Sequence, residues 1–220
     1  INEIVLVTLA LKLFAISFPR TNTVFDEFYY VPAARDLLNF IPSNVEHPFL
    51  GKLFGALGIF LIGDNFFGWR IFYVIIGIAT LPVFYKIAKY FLEEKYALYA
   101  TILLSFETTF FVHTNLALLE GPALFFALIS FQTYLKRKYV WTAFFLGIST
   151  LCKEWAPLFA LTLILFHMWK HGNKINISKQ NIKTIFLVSA VLLSTIAIPI
   201  WIYDINYSPI KDGTVIAKDV

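Results

Sequence analysis

Long apolar stretches separated by short polar segments run along the whole chain. A membrane-spanning helix needs about 20 mostly apolar residues, so each stretch is a candidate span. The run at 48–63 is short and carries Lys52 and four glycines, so we predict that it lies along the membrane interface. The other seven runs are predicted to cross the membrane. In full, the runs lie at roughly 4–18, 48–63, 66–85, 97–112, 116–135, 139–151, 155–169 and 184–203.

The charges favour this seven-span arrangement with a cytoplasmic N-terminus. Its inner segments carry ten bases and two acids, whereas its outer segments carry seven bases and eleven acids. Lys and Arg accumulate on the cytoplasmic side of membrane proteins. If 48–63 crossed the membrane, Lys136–Lys138 would move outside. If 139–169 were one helix, Lys153 and Glu154 would lie in mid-membrane, so both alternatives are less favourable.

Two amphipathic helices are predicted in the first outer loop, residues 19–66. Residues 31–41 place their apolar side chains on one face and their charged ones on the other, with Pro32 in the first turn. The run 48–63 forms the second helix. The predicted fold is therefore all-α: a polytopic membrane protein of about seven transmembrane helices, with two interfacial helices in its first outer loop.

Composition agrees with this fold. Apolar residues make up 59% of the 220 residues and charged residues 15%, which excludes a soluble domain and a disordered chain. The net charge is +4, but basic residues do not interleave with aromatic ones in any run, so nucleic acid is not an expected partner. We expect residues 1–203 to form the transmembrane domain and residues 204–220 to begin an outer loop or tail of a truncated chain.

Ionisable side chains gather at the predicted outer ends of the spans. Such groups are costly near lipid and are therefore candidates for function. A carboxylate there can accept a proton, and Lys or Arg can hold a phosphate, so the set suits a reaction on a charged lipid headgroup. The candidates are Asp26, Glu27, His47, Lys52, Arg70, Glu107, His113, Glu120, Lys153 and Glu154.

Structural explanations stay open for most of these candidates. A functional role is favoured for Glu120, because its ionisable side chain lies inside the apolar run 116–135. Asp26 and Glu27 could form a solvated turn, and His47 could cap the following helix. Arg70 and Lys153 could be bases whose side chains reach toward the outer headgroups. Glu107 and Glu154 could each form an ion pair with Lys153.

Several ordered segments resemble a known enzyme family. Phe25-Asp26-Glu27, followed by the segment 47–52 (His-Pro-Phe-Leu-Gly-Lys), resembles the first-loop signature of the protein O-mannosyltransferases, an Asp-Glu pair before His-Pro-Pro-Leu-Gly-Lys. These dolichyl-phosphate-mannose–protein mannosyltransferases belong to the GT-C superfamily of polytopic glycosyltransferases. Further segments that resemble the family are Gly68-Trp69-Arg70-Ile71, Leu118-Leu119-Glu120-Gly121-Pro122 with Phe125-Phe126, and Lys153 with Trp155.

The resemblance implies roles for individual residues. It makes 19–66 the catalytic loop, with Asp26 as the general base for a Ser or Thr hydroxyl and Glu27 helping to hold the acceptor. A base on the side of the sugar opposite the leaving phosphate gives an inverting displacement, and the phosphate requires positive charge. The implied donor and phosphate set is Arg70, Lys153, His47 and Lys52, with Glu120, Glu107 and Glu154 as other candidates.

The implied function is transfer of mannose from a polyprenyl (dolichyl) phosphate carrier to Ser or Thr hydroxyls of proteins on the outer or lumenal face. The expected partners are the lipid-linked donor, a protein or glycan acceptor and the bilayer, and a dimer is compatible with them. Abundant Ile, Lys, Asn and Phe favour a prokaryotic plasma membrane over the endoplasmic reticulum. Because the family has more spans than this chain, we expect the N-terminal, catalytic-loop portion of an enzyme.

Alternatives stay open at this point. A GT-C transferase of another sugar, with a lipid or glycan as acceptor, is the nearest one. A membrane transporter is less favoured because ionisable groups sit at the outer ends and an internal repeat is not visible. A non-catalytic scaffold is the third. Metal use is also open: some relatives respond to divalent cations and Glu27 with His47 could contribute ligands, but the spacing does not require a site.

Overall fold

A computed structural model of the chain describes residues 1–20, 22–41, 43–44, 46–155, 158–171, 189–202, 210–211 and 214–215. These residues form ten helices and one antiparallel pair of two-residue strands, β1 (Ile210–Lys211) and β2 (Thr214–Val215). The predicted helical fold is therefore confirmed in the described part, apart from this short pair. The helices are α1 (Asn2–Ala15), α2 (Glu27–Leu38), α3 (Leu50–Ile62), α4 (Phe66–Phe91), α5 (Glu94–Phe106), α6 (Thr108–His113), α7 (Glu120–Leu135), α8 (Tyr139–Cys152), α9 (Leu158–His171) and α10 (Ser189–Ile202).

One helix in the described part of the chain, α4, is both long and apolar enough to cross a membrane. Its 26 residues extend about 39 Å, more than the roughly 30 Å of a hydrocarbon core. The helices α3, α8 and α10 are apolar but shorter. The count of seven spans therefore stays a prediction. Much of the predicted tail, and residues 184–188 of the last predicted span, lie outside the described residues.

The two helices of the first loop pack against each other, and α3 packs in turn against α4 and α8. Val31, Ala34 and Leu37 of α2 join Ala56 of α3 and Tyr73 of α4 in one buried cluster. The predicted apolar face of α2 is therefore the face that packs. Helix α2 begins earlier than predicted, at Glu27, which places Pro32 inside the helix instead of in its first turn. Pro32 has no backbone N–H, so it donates no hydrogen bond within α2.

Helices α3 and α4 approach so closely that only glycine fits at their crossing. A Cβ atom on Gly58 would overlap the carbonyl oxygen of Gly68, whereas a Cβ on Gly55 would lie 3.3 Å from the Cβ of Ala34. We expect Gly58→Ala to lower the free energy of unfolding by about 3 kcal/mol or more. Gly55→Ala on the same helix is the matched control, with a change of about 1 kcal/mol or less. Denaturation in detergent measures both, and equal losses would contradict this packing.

The predicted span 97–112 is broken in the structure. Helix α5 ends at Phe106, and Glu107 then caps α6 by accepting hydrogen bonds from the backbone N–H groups of Thr109 and Phe110. A carboxylate at a helix start is favourable because it satisfies N–H groups that have no partner in the helix. The role of Glu107 in this structure is therefore to cap α6. Pairing of Glu107 or Glu154 with Lys153 was left open by the sequence; in the structure Lys153 pairs with Glu120, and Glu154 pairs with His47.

Candidate functional site

Asp26 lies immediately before α2, at the N-cap position, with its side chain exposed. Its backbone carbonyl accepts hydrogen bonds from the N–H groups of Tyr29 and Tyr30, both at 2.9 Å. Its carboxylate makes no capping hydrogen bond to the described start of α2. Phe25, just before it, has φ of +52°, a conformation that costs a bulky residue free energy and that clusters at functional sites. The loop therefore presents a carboxylate outward from a strained turn.

A buried ion pair holds this turn in place. Arg70 donates from Nε to Oε1 of Glu27 and from Nη2 to Oε2, each at 2.7 Å, and both side chains are fully buried. Such a two-point contact between a guanidinium and a carboxylate is among the stronger and more directional interactions in proteins. Because Glu27 is the first residue of α2 and Arg70 lies on α4, the pair fixes the start of α2 to the long helix.

The same pair also ties two other segments to the turn. Arg70 Nη1 donates to the carbonyl oxygens of Ile16, Phe18 and Pro19 at 2.9–3.2 Å, beyond the end of α1. Glu27 accepts from the N–H groups of Ala117 at 2.8 Å and Val24 at 3.2 Å. Three guanidinium nitrogens and both carboxylate oxygens are thus engaged. The acceptor and phosphate roles implied by the resemblance for Glu27 and Arg70 stay predictions, and this geometry favours a supporting role.

Lys153 brings a positive charge to the same side of the molecule. It follows α8, and its Nζ lies 2.9 Å from the hydroxyl of Tyr30 and 3.2 Å from Oε1 of Glu120. Burial lowers the pKa of Lys153, but the hydrogen bond with Tyr30 and the charge of Glu120 outweigh burial, so the pKa lies above its ordinary value. The side chain is therefore an ammonium at neutral pH.

Glu120 starts α7, where the helix dipole favours a negative charge. Its Oε1 faces Lys153, whereas its Oε2 is buried and makes no hydrogen bond within the described part of the chain. Nδ1 of His113 lies 4.0 Å from Oε2, at the limit for an ion pair. Glu120 was predicted to lie inside the apolar run 116–135, at the outer end of a span; in the structure it is the first residue of α7 and lies beside two bases.

Three more candidates lie on the α2–α3 loop, on α3 and after α8: His47, Lys52 and Glu154. His47 Nδ1 lies 2.9 Å from Oε2 of Glu154, and its ring meets the ring of Tyr30 edge-on at 5.6 Å. Lys52 is fully buried and donates to the carbonyl oxygens of Asn44 at 2.6 Å and His47 at 2.9 Å. Burial lowers the pKa of Lys52 to about 8. Lys52 therefore shapes the loop from inside.

Most of the candidates from the sequence thus fall into one connected region, and Glu107 is the exception. Tyr30 and the N–H group of Ala117 were missed. The position of Tyr30 four residues after Asp26 puts both on one face of a helix that starts at 27, and that spacing was the available signal. The contact with Ala117 joins residues distant in sequence, so spacing could not reveal it.

The two residues suggested as metal ligands, Glu27 and His47, are not arranged to hold a divalent metal ion together. Among the described residues, no three His, Cys, Asp or Glu side chains cluster in a way that could hold a metal ion. Both oxygens of Glu27 face Arg70, and Nδ1 of His47 faces Glu154. These two side chains also lie in separate hydrogen-bonding groups. We therefore derive no catalytic step through a metal.

Comparison with known proteins assigns the family. The family model described as dolichyl-phosphate-mannose-protein mannosyltransferase matches residues 46–203, more than half of the chain. The chain belongs to this family. The predicted resemblance to the protein O-mannosyltransferases is thereby confirmed. The matched residues include Arg70, Glu120 and Lys153 and begin after Asp26, so the family match does not extend to Asp26.

Two curated relatives and one solved structure extend this comparison. Over 116 residues the chain is 31% identical to the polyprenol-phosphate-mannose–protein mannosyltransferase of Mycobacterium tuberculosis, in strains CDC 1551 / Oshkosh and ATCC 25618 / H37Rv. The alignment covers 49% of this chain and spans 22% of the relatives' length. The S. cerevisiae protein O-mannosyltransferase Pmt1-Pmt2 complex bound to the sugar donor matches with a TM-score of 0.70 and 20% identity, covering 93% of this chain and 32% of that one. This likeness shows the fold.

Proposed function

We propose that the protein to which this chain belongs transfers mannose from a polyprenyl-phosphate carrier to Ser or Thr hydroxyls of proteins. The observation that carries the proposal is an exposed carboxylate, Asp26, on a turn that a buried ion pair holds in place and that the hydroxyl of Tyr30 links to the ammonium of Lys153. Membership of the family and the names of the Mycobacterium relatives supply the donor and acceptor class. The chain spans 22% of those relatives, so the proposal concerns the whole protein.

In the proposed reaction Asp26 acts as the general base. Its carboxylate accepts the proton of the Ser or Thr hydroxyl as the hydroxyl oxygen attacks the anomeric carbon of mannose. The bond between that carbon and the phosphate oxygen breaks at the same time, and its electron pair leaves with the polyprenyl phosphate. Attack and departure occur on opposite faces, so the configuration inverts. An exposed carboxylate suits this step because the acceptor must reach it.

Lys153 is the group that we propose to stabilise the departing phosphate. Negative charge grows on the phosphate oxygen as the bond breaks, and a fixed ammonium in a partly desolvated site stabilises it. The phosphate would share Lys153 with Glu120 and Tyr30. Glu27 and Arg70 then hold the turn that carries Asp26, instead of contacting the substrates.

Lys153→Met is expected to lower kcat/KM for the lipid-linked donor by about 10²-fold, because one charged contact to the leaving group is lost. Lys153→Arg should keep part of the activity, since the charge remains. Lys136→Met, an exposed lysine just after α7, is the matched control and should leave kcat/KM unchanged. Initial rates at varied donor concentration measure the effect. Equal values for Lys153→Met and the control would contradict the role of Lys153.

We also propose the membrane arrangement predicted from the sequence. Seven spans, with the N-terminus in the cytoplasm, place the Asp26 turn on the outer face, where basic residues are few. The bacterial relatives favour the plasma membrane of a prokaryote. Labelling of single cysteines from outside intact cells tests this at two exposed positions. The cysteine of Asn22→Cys should react, and that of Lys138→Cys should not.

The function is tested by radiolabelled polyprenyl-phosphate mannose with membranes that contain the full protein. We expect label in a Ser/Thr-containing acceptor peptide and none in the same peptide with Ala at those positions. Polyprenyl-phosphate glucose should be a poor donor. Label that enters lipid or glycan but not the peptide would favour a different GT-C transferase. No transfer from any donor would overturn the proposal in favour of a scaffold or a transporter.

A further inference from the structure

Tyr30 occupies the centre of the site, although its chemistry was not anticipated. It lies on α2 one helical turn after Asp26 and is only 2% exposed. Its ring packs in a buried cluster with Leu116, Leu118 and Leu119, which lead into α7. A ring buried on several sides cannot swing, so the position of its hydroxyl is fixed by the fold.

The hydroxyl of Tyr30 lies between the two groups that the proposed reaction uses. Lys153 Nζ donates to it at 2.9 Å, and the same ammonium lies 5.4 Å from the ring centroid. On the other side, Oδ2 of Asp26 lies 3.5 Å from the hydroxyl oxygen. This second contact is long for a hydrogen bond, but contacts of catalytic groups often tighten only when substrate is bound.

The protons in this chain of contacts have one arrangement. An ammonium can only donate, so the oxygen of Tyr30 accepts from Lys153. The proton of the phenol is then free to point at the carboxylate of Asp26, which can only accept while it is ionised. Donation from a cation strengthens the phenol as a donor in turn. Burial raises the pKa of Tyr30 more than Lys153 lowers it, so the phenol keeps its proton at neutral pH.

We propose that Tyr30 is a positioning residue for the transfer: it holds Oδ2 of Asp26, so that Oδ1 faces the acceptor hydroxyl, and it holds Lys153 at the leaving phosphate. This inference rests on the proposed function. One rigid phenol would thus set the distance between the base and the phosphate-binding charge, which must lie on opposite faces of the sugar. The other ionisable groups around Tyr30 are His47 on the α2–α3 loop and Glu120 on α7, and Glu154 after α8 pairs with His47.

Kinetics of Tyr30→Phe test the proposal, because the ring stays and only the hydroxyl is lost. We expect kcat to fall at least about tenfold with the donor KM within about twofold. Tyr29→Phe is the matched control: Tyr29 is exposed, and its hydroxyl makes no hydrogen bond to the described residues.

A second measurement does not depend on activity. With 3-fluorotyrosine at position 30, the ¹⁹F chemical shift at neutral pH should change in Asp26→Asn, because the phenol loses the carboxylate that accepts from it. The same label at position 29 should show no such change. A ¹⁹F shift at position 30 that Asp26→Asn leaves unchanged would overturn the contact.

The outcomes separate this inference from the proposed function. If wild type transfers mannose and Tyr30→Phe behaves like Tyr29→Phe, the role of Tyr30 is wrong and the function stands. A fall in kcat together with a ¹⁹F shift at position 30 that Asp26→Asn leaves unchanged would mean that Tyr30 is merely structural, which also overturns the inference. If wild type transfers no sugar, the proposed function fails and the role of Tyr30 in transfer fails with it, whatever the ¹⁹F result.

Discussion

Asp26→Asn is expected to lower kcat for mannosyl transfer by about 10²–10⁴-fold, the range that a positioned general base contributes. An amide has nearly the shape of the carboxylate but cannot take the proton of the acceptor hydroxyl. Because Asp26 is exposed and makes no capping hydrogen bond to the described start of α2, the substitution should leave the fold intact. Donor KM should therefore change little. Initial rates with labelled donor and acceptor peptide measure kcat.

Asp36→Asn provides the control for this experiment. Asp36 lies on the same helix, away from the turn that carries Asp26, so its conversion to an amide should leave kcat unchanged. The unfolding curve of Asp26→Asn should match that of the wild type. Transfer by Asp26→Asn at the wild-type rate would exclude Asp26 as the base and would return the search for the base to the other carboxylates of the site.

Glu27→Gln is expected to lower the free energy of unfolding by about 3–5 kcal/mol, because it leaves the guanidinium of Arg70 buried without an anion. Both side chains have 0% exposure, so water cannot replace the lost charge. Activity should also fall, since the turn that presents Asp26 loses its anchor on α4. Denaturant unfolding in detergent measures the stability, with residual activity of the folded fraction as the second reading.

Two further variants show whether burial is the cause of this loss. Asp64→Asn weakens the ion pair between Asp64 and Arg35. Because the side chain of Arg35 is 39% exposed and that of Asp64 is 46% exposed, the free energy of unfolding should fall by only about 1 kcal/mol or less. The double change Glu27→Leu with Arg70→Met should regain part of the stability, because no buried charge remains. The recovery is incomplete, since the carbonyl oxygens of Ile16, Phe18 and Pro19 lose their donor. A cost for Glu27→Gln no greater than that for Asp64→Asn would contradict the anchoring role.

Hydropathy predicted the helices well where an apolar run is continuous, and poorly where a single polar residue determines where a helix begins or ends. The runs beginning at 66 and 139 match α4 and α8 at their first residues. The run 97–112 does not match one helix, because Glu107 caps a new helix within it. An average over a window cannot register one carboxylate that satisfies two backbone N–H groups. The sequence also misplaced the start of α2: the helix begins at Glu27, directly after a turn, and not at the predicted position 31, where Pro32 would lie in the first turn.

The members of the site were more predictable than their partners. The positions of the charged residues in the sequence predicted that Asp26, Arg70 and Lys153 lie on the same outer face, because ionisable groups avoid the membrane interior. The partner of each residue depends on how the helices pack, which single-residue patterns do not encode: Asp26 and Lys153 both contact Tyr30, whereas Arg70 pairs with Glu27. Arg70 looked like a phosphate ligand and is enclosed by Glu27 and three carbonyl groups instead. Tyr30 was missed because a tyrosine in an apolar helix looks like an ordinary core residue.

The central claim is that Asp26 acts as a base in a single displacement of the lipid phosphate. The most direct measurement is the anomeric configuration of mannose in the product, read by NMR from the acceptor peptide and compared with that of the donor. The account predicts inversion, because the hydroxyl attacks opposite the departing phosphate. Retention would mean two displacements with a covalent intermediate, and would contradict the role of Asp26 as a base.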